Sequence, residues 1–177
     1  MKLDGHGVKL HPPTQELAIL FGSLEEPMLL EGGQGTSYRS GTIMLKPVDS
    51  LEASRWTAEL FEHLPESDEV RFARPRKSLN GEWVENGYAA WDFLEGEHVK
   101  RQYQKKLSAS RAFHKLLQET PQPNFLKIAS SSWSAADQIV WQEREFHYGQ
   151  EFTELLDQIT PHVKPMQASS QLIHGDL

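Results

Sequence analysis

The sequence predicts an α+β fold, sheet-rich in its first half and helical in its second. Three observations carry that prediction. Short apolar runs separated by Gly, Asn-Gly and Pro signals fill much of residues 28–94, the punctuation expected of strands and hairpins. One longer stretch among them, from Asp49 to about Leu64, places Trp56, Leu60 and Leu64 on one helical face. After Gly96 the character changes, and helical periodicities dominate to the end. The natural boundary lies near residue 96. Residues 1–96 form one lobe with a connector at about 90–96, and residues 97–177 form a partial helical lobe.

The elements follow in order. Residues 13–22 read as a short helix: Pro13 suits its first turn, Leu17, Leu20 and Phe21 share a face, and Gly22 can end it. A strand is expected at 28–31, then a glycine-rich break at 32–35, then an extended run at 36–39. Ser40-Gly41 is a tight-turn signal before a strand at 42–46 that Pro47 stops. Asp49 or Ser50 caps the central helix, on which Glu52 and Glu59 are seven apart and share a face. Residues 70–75 look extended. Asn80-Gly81 signals a hairpin between 75–79 and 82–85, and Asn86-Gly87 signals a second turn. The apolar run 88–94 is a further strand. A helix over 98–118 buries Leu107, Phe113, Leu116 and Leu117. Ser134 with Asp137 resembles a capping box opening a helix to about Tyr148. Phe152, Leu155, Leu156 and Ile159 mark a last helix, which Pro161 is expected to end.

Composition bounds the chemistry. The chain has 177 residues, 18 Lys+Arg and 25 Asp+Glu, hence a formal net charge of −7, with 38% hydrophobic residues. A chain this long buries roughly 70% of its unfolded surface, enough for a core without staples. It contains no cysteine, so disulfides, thiolate catalysis and cysteine-based zinc sites are excluded. The acidic balance argues against general nucleic-acid binding. No apolar run approaches the roughly 20 residues of a membrane helix, and the first residues lack the apolar stretch of a signal peptide. A cytoplasmic protein without a membrane partner is the expectation. The histidines show no metal-ligand spacing, Trp133 and Trp141 read as core, and the basic run Lys100-Arg101…Lys105-Lys106 reads as a solvated helix face.

Four segments can carry chemistry. Gly32-Gly33-Gln34-Gly35-Thr36-Ser37 lies between strands, where glycines let backbone N–H groups approach phosphate oxygens and the two hydroxyls add donors. It lacks the Gly-Lys-Ser/Thr of a Walker loop. Lys46 ends a later strand, with Met44 on its face and Ile43 and Leu45 on the other. Its ammonium needs a carboxylate, which the next helix offers as Glu52 or Glu59. The extended segment Ala90–Gly96 can present backbone donors and acceptors to a flat ring. Finally, His174-Gly175-Asp176 follows a short apolar strand, and an Asp there can accept a proton from a substrate hydroxyl. Each segment alone also reads as an ordinary hairpin, surface lysine, connector or loop; their order is what discriminates.

That order is the part list of a kinase-like phosphotransferase. Over about residues 15–177 the chain resembles the aminoglycoside phosphotransferase and choline kinase-like superfamily, through GGQGTSYRSGTIMLKPV, YAAWDFLEG, the RAFHKLL helix tail and LIHGD. The resemblance implies a protein-kinase-like N-terminal lobe and an ATP-dependent small-molecule O-phosphotransferase with a hydroxyl acceptor. Gly32, Gly33, Gly35, Thr36 and Ser37 would cover the ATP phosphates, and Lys46 would contact the α- and β-phosphates. Glu59, or else Glu52, would pair with Lys46, and Met44 would line the adenine pocket. The Asp92 carbonyl and the Leu94 N–H would face the adenine edge. Asp176 would be the catalytic base, braced by His174.

The pattern breaks at the end. The magnesium-binding Asn of the kinase-type loop lies five residues after the catalytic Asp, which here is position 181, and the chain stops at 177. The Mg²⁺ that accompanies ATP therefore lacks its ligands, and the chain alone is expected to be inactive. Apolar helix faces in the second half, such as Phe152/Leu155/Leu156/Ile159, are expected to pair with a second copy. The competing expectation is a degenerate kinase-like nucleotide-binding or interaction module that performs no phosphoryl transfer.

Overall fold

A computed structural model describes residues 11–31, 35–96, 101–127 and 149–163. The chain divides into two compact units, the first running to Leu116 and the second starting at Leu117. Expectations for 134–148 and 171–173 lie outside the described residues.

The first unit begins with α1 (Gln15–Leu20). Thr14 is its N-cap, accepting from the Leu17 N–H at 3.3 Å, so Pro13 sits one residue before the cap rather than in the first turn. Gly22 ends the helix as expected. It adopts φ +83°, its N–H donates to the Ile19 carbonyl, and Ser23 N–H donates to Ala18. That is the paired bonding of a Schellman motif, which satisfies otherwise orphaned carbonyls.

An antiparallel sheet follows, with six strands among the described residues: β1 (Met28–Leu29), β2 (Tyr38–Ser40), β3 (Ile43–Pro47), β4 (Pro75–Arg76), β5 (Val84–Glu85) and β6 (Tyr88–Asp92). Their order is β1-β2-β3-β6-β4, with β5 also beside β6. The β2–β3 turn differs from its sequence signal by one residue. Ser40 belongs to β2 and is buried, and Gly41-Thr42 make the turn, Gly41 at φ +57°. The Ser40 hydroxyl contacts Ser23 Oγ and the Glu25 carbonyl, which holds it inside. Asn86-Gly87 turns as expected. Both residues have positive φ, 49° and 80°, as a two-residue type I′ loop requires.

Asn80-Gly81 also turns, with Gly81 at φ +82°, but its flanks do not form a hairpin. Both pair with β6 instead: Pro75 and Arg76 oppose Trp91 and Ala90, and Val84 and Glu85 oppose Ala89 and Tyr88. Thus β4 and β5 are two pieces of one edge strand, interrupted by the excursion 77–83. The excursion is anchored by the buried Trp83, by Leu79 N–H donating to the Leu20 carbonyl, and by Ser78 and Asn80 donating to Glu85.

Strand alternation assigns the two faces. On one, Ile43, Leu45, Tyr88 and Ala90 pack against Leu17, Ala18 and Phe21 of α1. On the other, α2 (Leu51–His63) docks by Phe61, whose ring meets Trp91 at 5.5 Å and Phe72 at 5.6 Å. Of the two candidate caps it is Ser50 that receives the Ala53 N–H. Helix α2 stops at Leu64-Pro65, where Arg74 donates to the Phe61 and Leu64 carbonyls. This is a cation placed at the negative end of the helix dipole. Helix α3 (Tyr103–Leu116) sends Phe113 onto Phe61 and Phe72 at 5.7 and 5.9 Å.

In the second unit the described residues form a 3₁₀ turn (Asn124–Lys127) and α4 (Gln150–Val163). Pro161 lies inside α4 rather than ending it. Its missing N–H deprives the Asp157 carbonyl of its i+4 partner. Leu155 and Ile159 are exposed on this helix. No helix among the described residues is long and apolar enough to cross a membrane.

Candidate functional site

The site is best built from the sheet face that α2 shares. Register places Arg39 of β2 opposite Met44 of β3, and Met44 opposite Trp91 of β6. Lys46 opposes Ala89. Continuing the β2–β3 register by one residue puts Ser37 opposite Lys46. Residues two apart on a strand share a face, so Ser37, Arg39, Met44, Lys46, Ala89 and Trp91 lie on one side. The sequence-predicted Ser37, Met44 and Lys46 are therefore brought together. Lys46 is exposed, Met44 and Ser37 are half-buried, and Thr36 beside them is half-buried. Gly35 is exposed at φ +65°, a conformation that glycine adopts without strain. Gly32, Gly33, His174 and Asp176 lie outside the described residues.

Glu52 and Glu59 do share a face, as their spacing implies, and line one shallow recess with Leu51, Arg55 and Trp56. All five residues belong to α2, so this is a stripe along one helix rather than an enclosed cavity. Both carboxylates are exposed, whereas Ala58 and Leu64 are buried. Among the described residues, neither carboxylate forms an ion pair with Lys46; the pairs present are Arg39–Glu95, Arg55–Glu82 and Arg76–Asp92.

The connector is more structured than its sequence suggested. Asp92 N–H donates to the Arg74 carbonyl at 2.7 Å, and Phe93 N–H donates to Thr42 at 2.8 Å. The Asp92 side chain, which the sequence reading left idle, accepts from Arg76 Nε. Leu94 is exposed, and among the described residues its N–H has no acceptor. The sequence reading also missed Arg39. A signal existed, because strand alternation across a two-residue turn puts Arg39 on the Met44 face. Its partner Glu95 is 56 positions away and has no local signature.

Among the described residues this face offers the exposed ammonium of Lys46, the Ser37 hydroxyl and the Met44 thioether, and β6 leads on from it to the Leu94 N–H. Such a set suits an anionic ligand carrying a flat ring. Among the described residues no group of three His, Asp or Glu side chains could hold a metal ion. A scan against protein-family models finds no match, and no curated protein matches the chain.

Proposed function

We propose that the chain carries the nucleotide-binding part of an ATP-dependent small-molecule O-phosphotransferase, of the aminoglycoside phosphotransferase and choline kinase-like kind, working in the cytoplasm. One observation carries the reading. Ser37, Met44 and Lys46 share a sheet face with the docking surface of α2, and β6 leads from that face into a connector whose Leu94 N–H has no acceptor among the described residues. The order of parts supports it as well: glycine loop, lysine strand, helix, split edge strand, connector, helix.

In this reading Lys46 neutralises phosphate oxygens, a role suited to a compact ammonium on a flexible stem. Ser37, Thr36 and the amides of the 32–35 loop donate to the same oxygens. Met44 supplies an apolar, polarizable floor for the base. Leu94 N–H and the Asp92 carbonyl meet the base edge. The carboxylate partner this reading needs for Lys46 is assigned to Glu59, with Glu52 second, although both stand exposed and neither is paired with Lys46 among the described residues. Asp176 takes the acceptor hydroxyl proton as that oxygen attacks the γ-phosphorus, and His174 braces its loop. Mg²⁺ bound to ATP would spread the developing charge, but the described residues offer no cluster to hold it.

The exposure of Glu52 and Glu59, neither of them paired with Lys46 among the described residues, favours a second reading, a nucleotide-binding module without transfer, because protein-kinase-like transfer needs its Lys–Glu pair in place. Both readings share a first test. ATP at about a hundred times its Kd stabilises a binding protein by about 2.7 kcal/mol, a melting shift of several degrees at this size. Lys46→Ala is expected to abolish the shift. An equal shift in wild type and variant removes Lys46 from the site, and no shift in wild type refutes nucleotide binding.

A further inference from the structure

Arg39 makes three contacts at the connector end of the site. Its Nε donates to the Gly41 carbonyl at 3.0 Å, its Nη2 donates to Glu95 Oε1 at 2.7 Å, and its guanidinium lies 4.0 Å from the Phe93 ring centroid. Arg71 Nη2 donates to the Glu95 main-chain carbonyl at 2.7 Å. Glu95 is thus gripped at its carboxylate from β2 and at its backbone from the segment before β4. With Asp92 and Phe93 tied by their own N–H groups, residues 92, 93 and 95 are all fixed. Leu94 between them keeps its N–H free among the described residues.

Exposed ion pairs add little stability, and Glu95 is 75% exposed. Anchors of this density on an exposed segment do more to fix a shape than to hold a core. A backbone donor already fixed in place spares a ligand the entropy of ordering it.

Resting on the nucleotide-binding reading, we infer that Arg39 and Arg71 are positioning residues that pre-form the connector around Leu94 as a reader of the purine edge. They set affinity for the base and discrimination between bases, and they do not contact phosphate. Arg39 is already neutralised by Glu95, which leaves the phosphate role to Lys46.

The test is calorimetric titration of the 177-residue chain with ATP, GTP and tripolyphosphate, for wild type, Arg39→Ala, Arg71→Ala and Glu95→Ala. Glu95→Ala removes the Arg39 anchor while the main-chain carbonyl at 95 keeps its Arg71 bond, and it leaves the sheet face unaltered, so it guards against a folding defect in the Arg39 variant. Each variant is expected to weaken ATP by roughly three- to tenfold, the scale of one net hydrogen bond. Each narrows the ATP-to-GTP ratio, and the two arginine variants leave tripolyphosphate affinity unchanged. Unchanged ATP affinity and ratio in all three variants overturn the inference alone. Equal losses for ATP and tripolyphosphate overturn it too, since they mark general disruption. Wild type that binds no ATP overturns the reading beneath it.

Discussion

Single residues carry consequences that their neighbours decide. Tyr88 is buried between β3 and β5, its ring edge-on to Tyr38 at 6.4 Å, and its hydroxyl donates to the His11 carbonyl at 2.9 Å. Burial, with Tyr38 beside it, pushes its phenol up to about 12 from an ordinary 10. A raised folded value means that the neutral phenol stabilises the fold fully below pH 10. That contribution is then lost as pH climbs from about 10 through about 12. Chemical denaturation across pH 9–12 should show this alkaline loss in wild type and a shallower one in Tyr88→Phe. The variant should also be less stable at neutral pH by about 1 kcal/mol, from the missing hydrogen bond. Parallel curves would assign the alkaline loss to other groups. Glu85 is held below the ordinary carboxylate range by hydrogen bonds from Ser78 and Asn80, so acid acts on the excursion 77–83 in the opposite sense. Its small contribution is present at neutral pH and lost as pH falls through the lowered value.

Elements show where local signals suffice and where they fail. Asn86-Gly87 was legible because a two-residue hairpin demands positive φ at both positions, and these residue types tolerate it. Asn80-Gly81 has the same local chemistry, yet its flanks pair with β6, a strand that comes later in the chain. Which partner wins is a non-local question that no dipeptide answers. Helix α2 was legible from its cap to its end, and α1 from its glycine stop. The ring cluster joining α2, α3 and the sheet was not, since Phe61, Phe72, Trp91 and Phe113 come from four separate segments. Phe61 sits at its centre. Phe61→Ala should cost roughly 2–4 kcal/mol in urea unfolding, with Phe61→Leu milder. A loss under 1 kcal/mol would show that α2 is held on the sheet by other contacts.

For the whole molecule, alternation and register dictated the face of the candidate site. Met44 beside Lys46 followed from period-2 geometry alone. What the sequence could not supply was the third dimension of α2. Spacing put Glu52 and Glu59 together but could not say that their shared face turns outward. Nor could it foresee that Arg39 and Arg71 converge on Glu95 from different segments. The central claim is that the Lys46 ammonium lies where the phosphates of ATP bind. An acyl-phosphate derivative of ATP tests this directly, because an amine held at the phosphates attacks the acyl carbon, keeps the acyl group as an amide and releases ATP. Peptide mass spectrometry of the treated 177-residue chain should find Lys46 acylated ahead of exposed lysines such as Lys77, Lys105 and Lys115, with excess ATP suppressing that label selectively. Uniform labelling of all lysines, or Lys46 labelling that ATP does not suppress, would contradict the account.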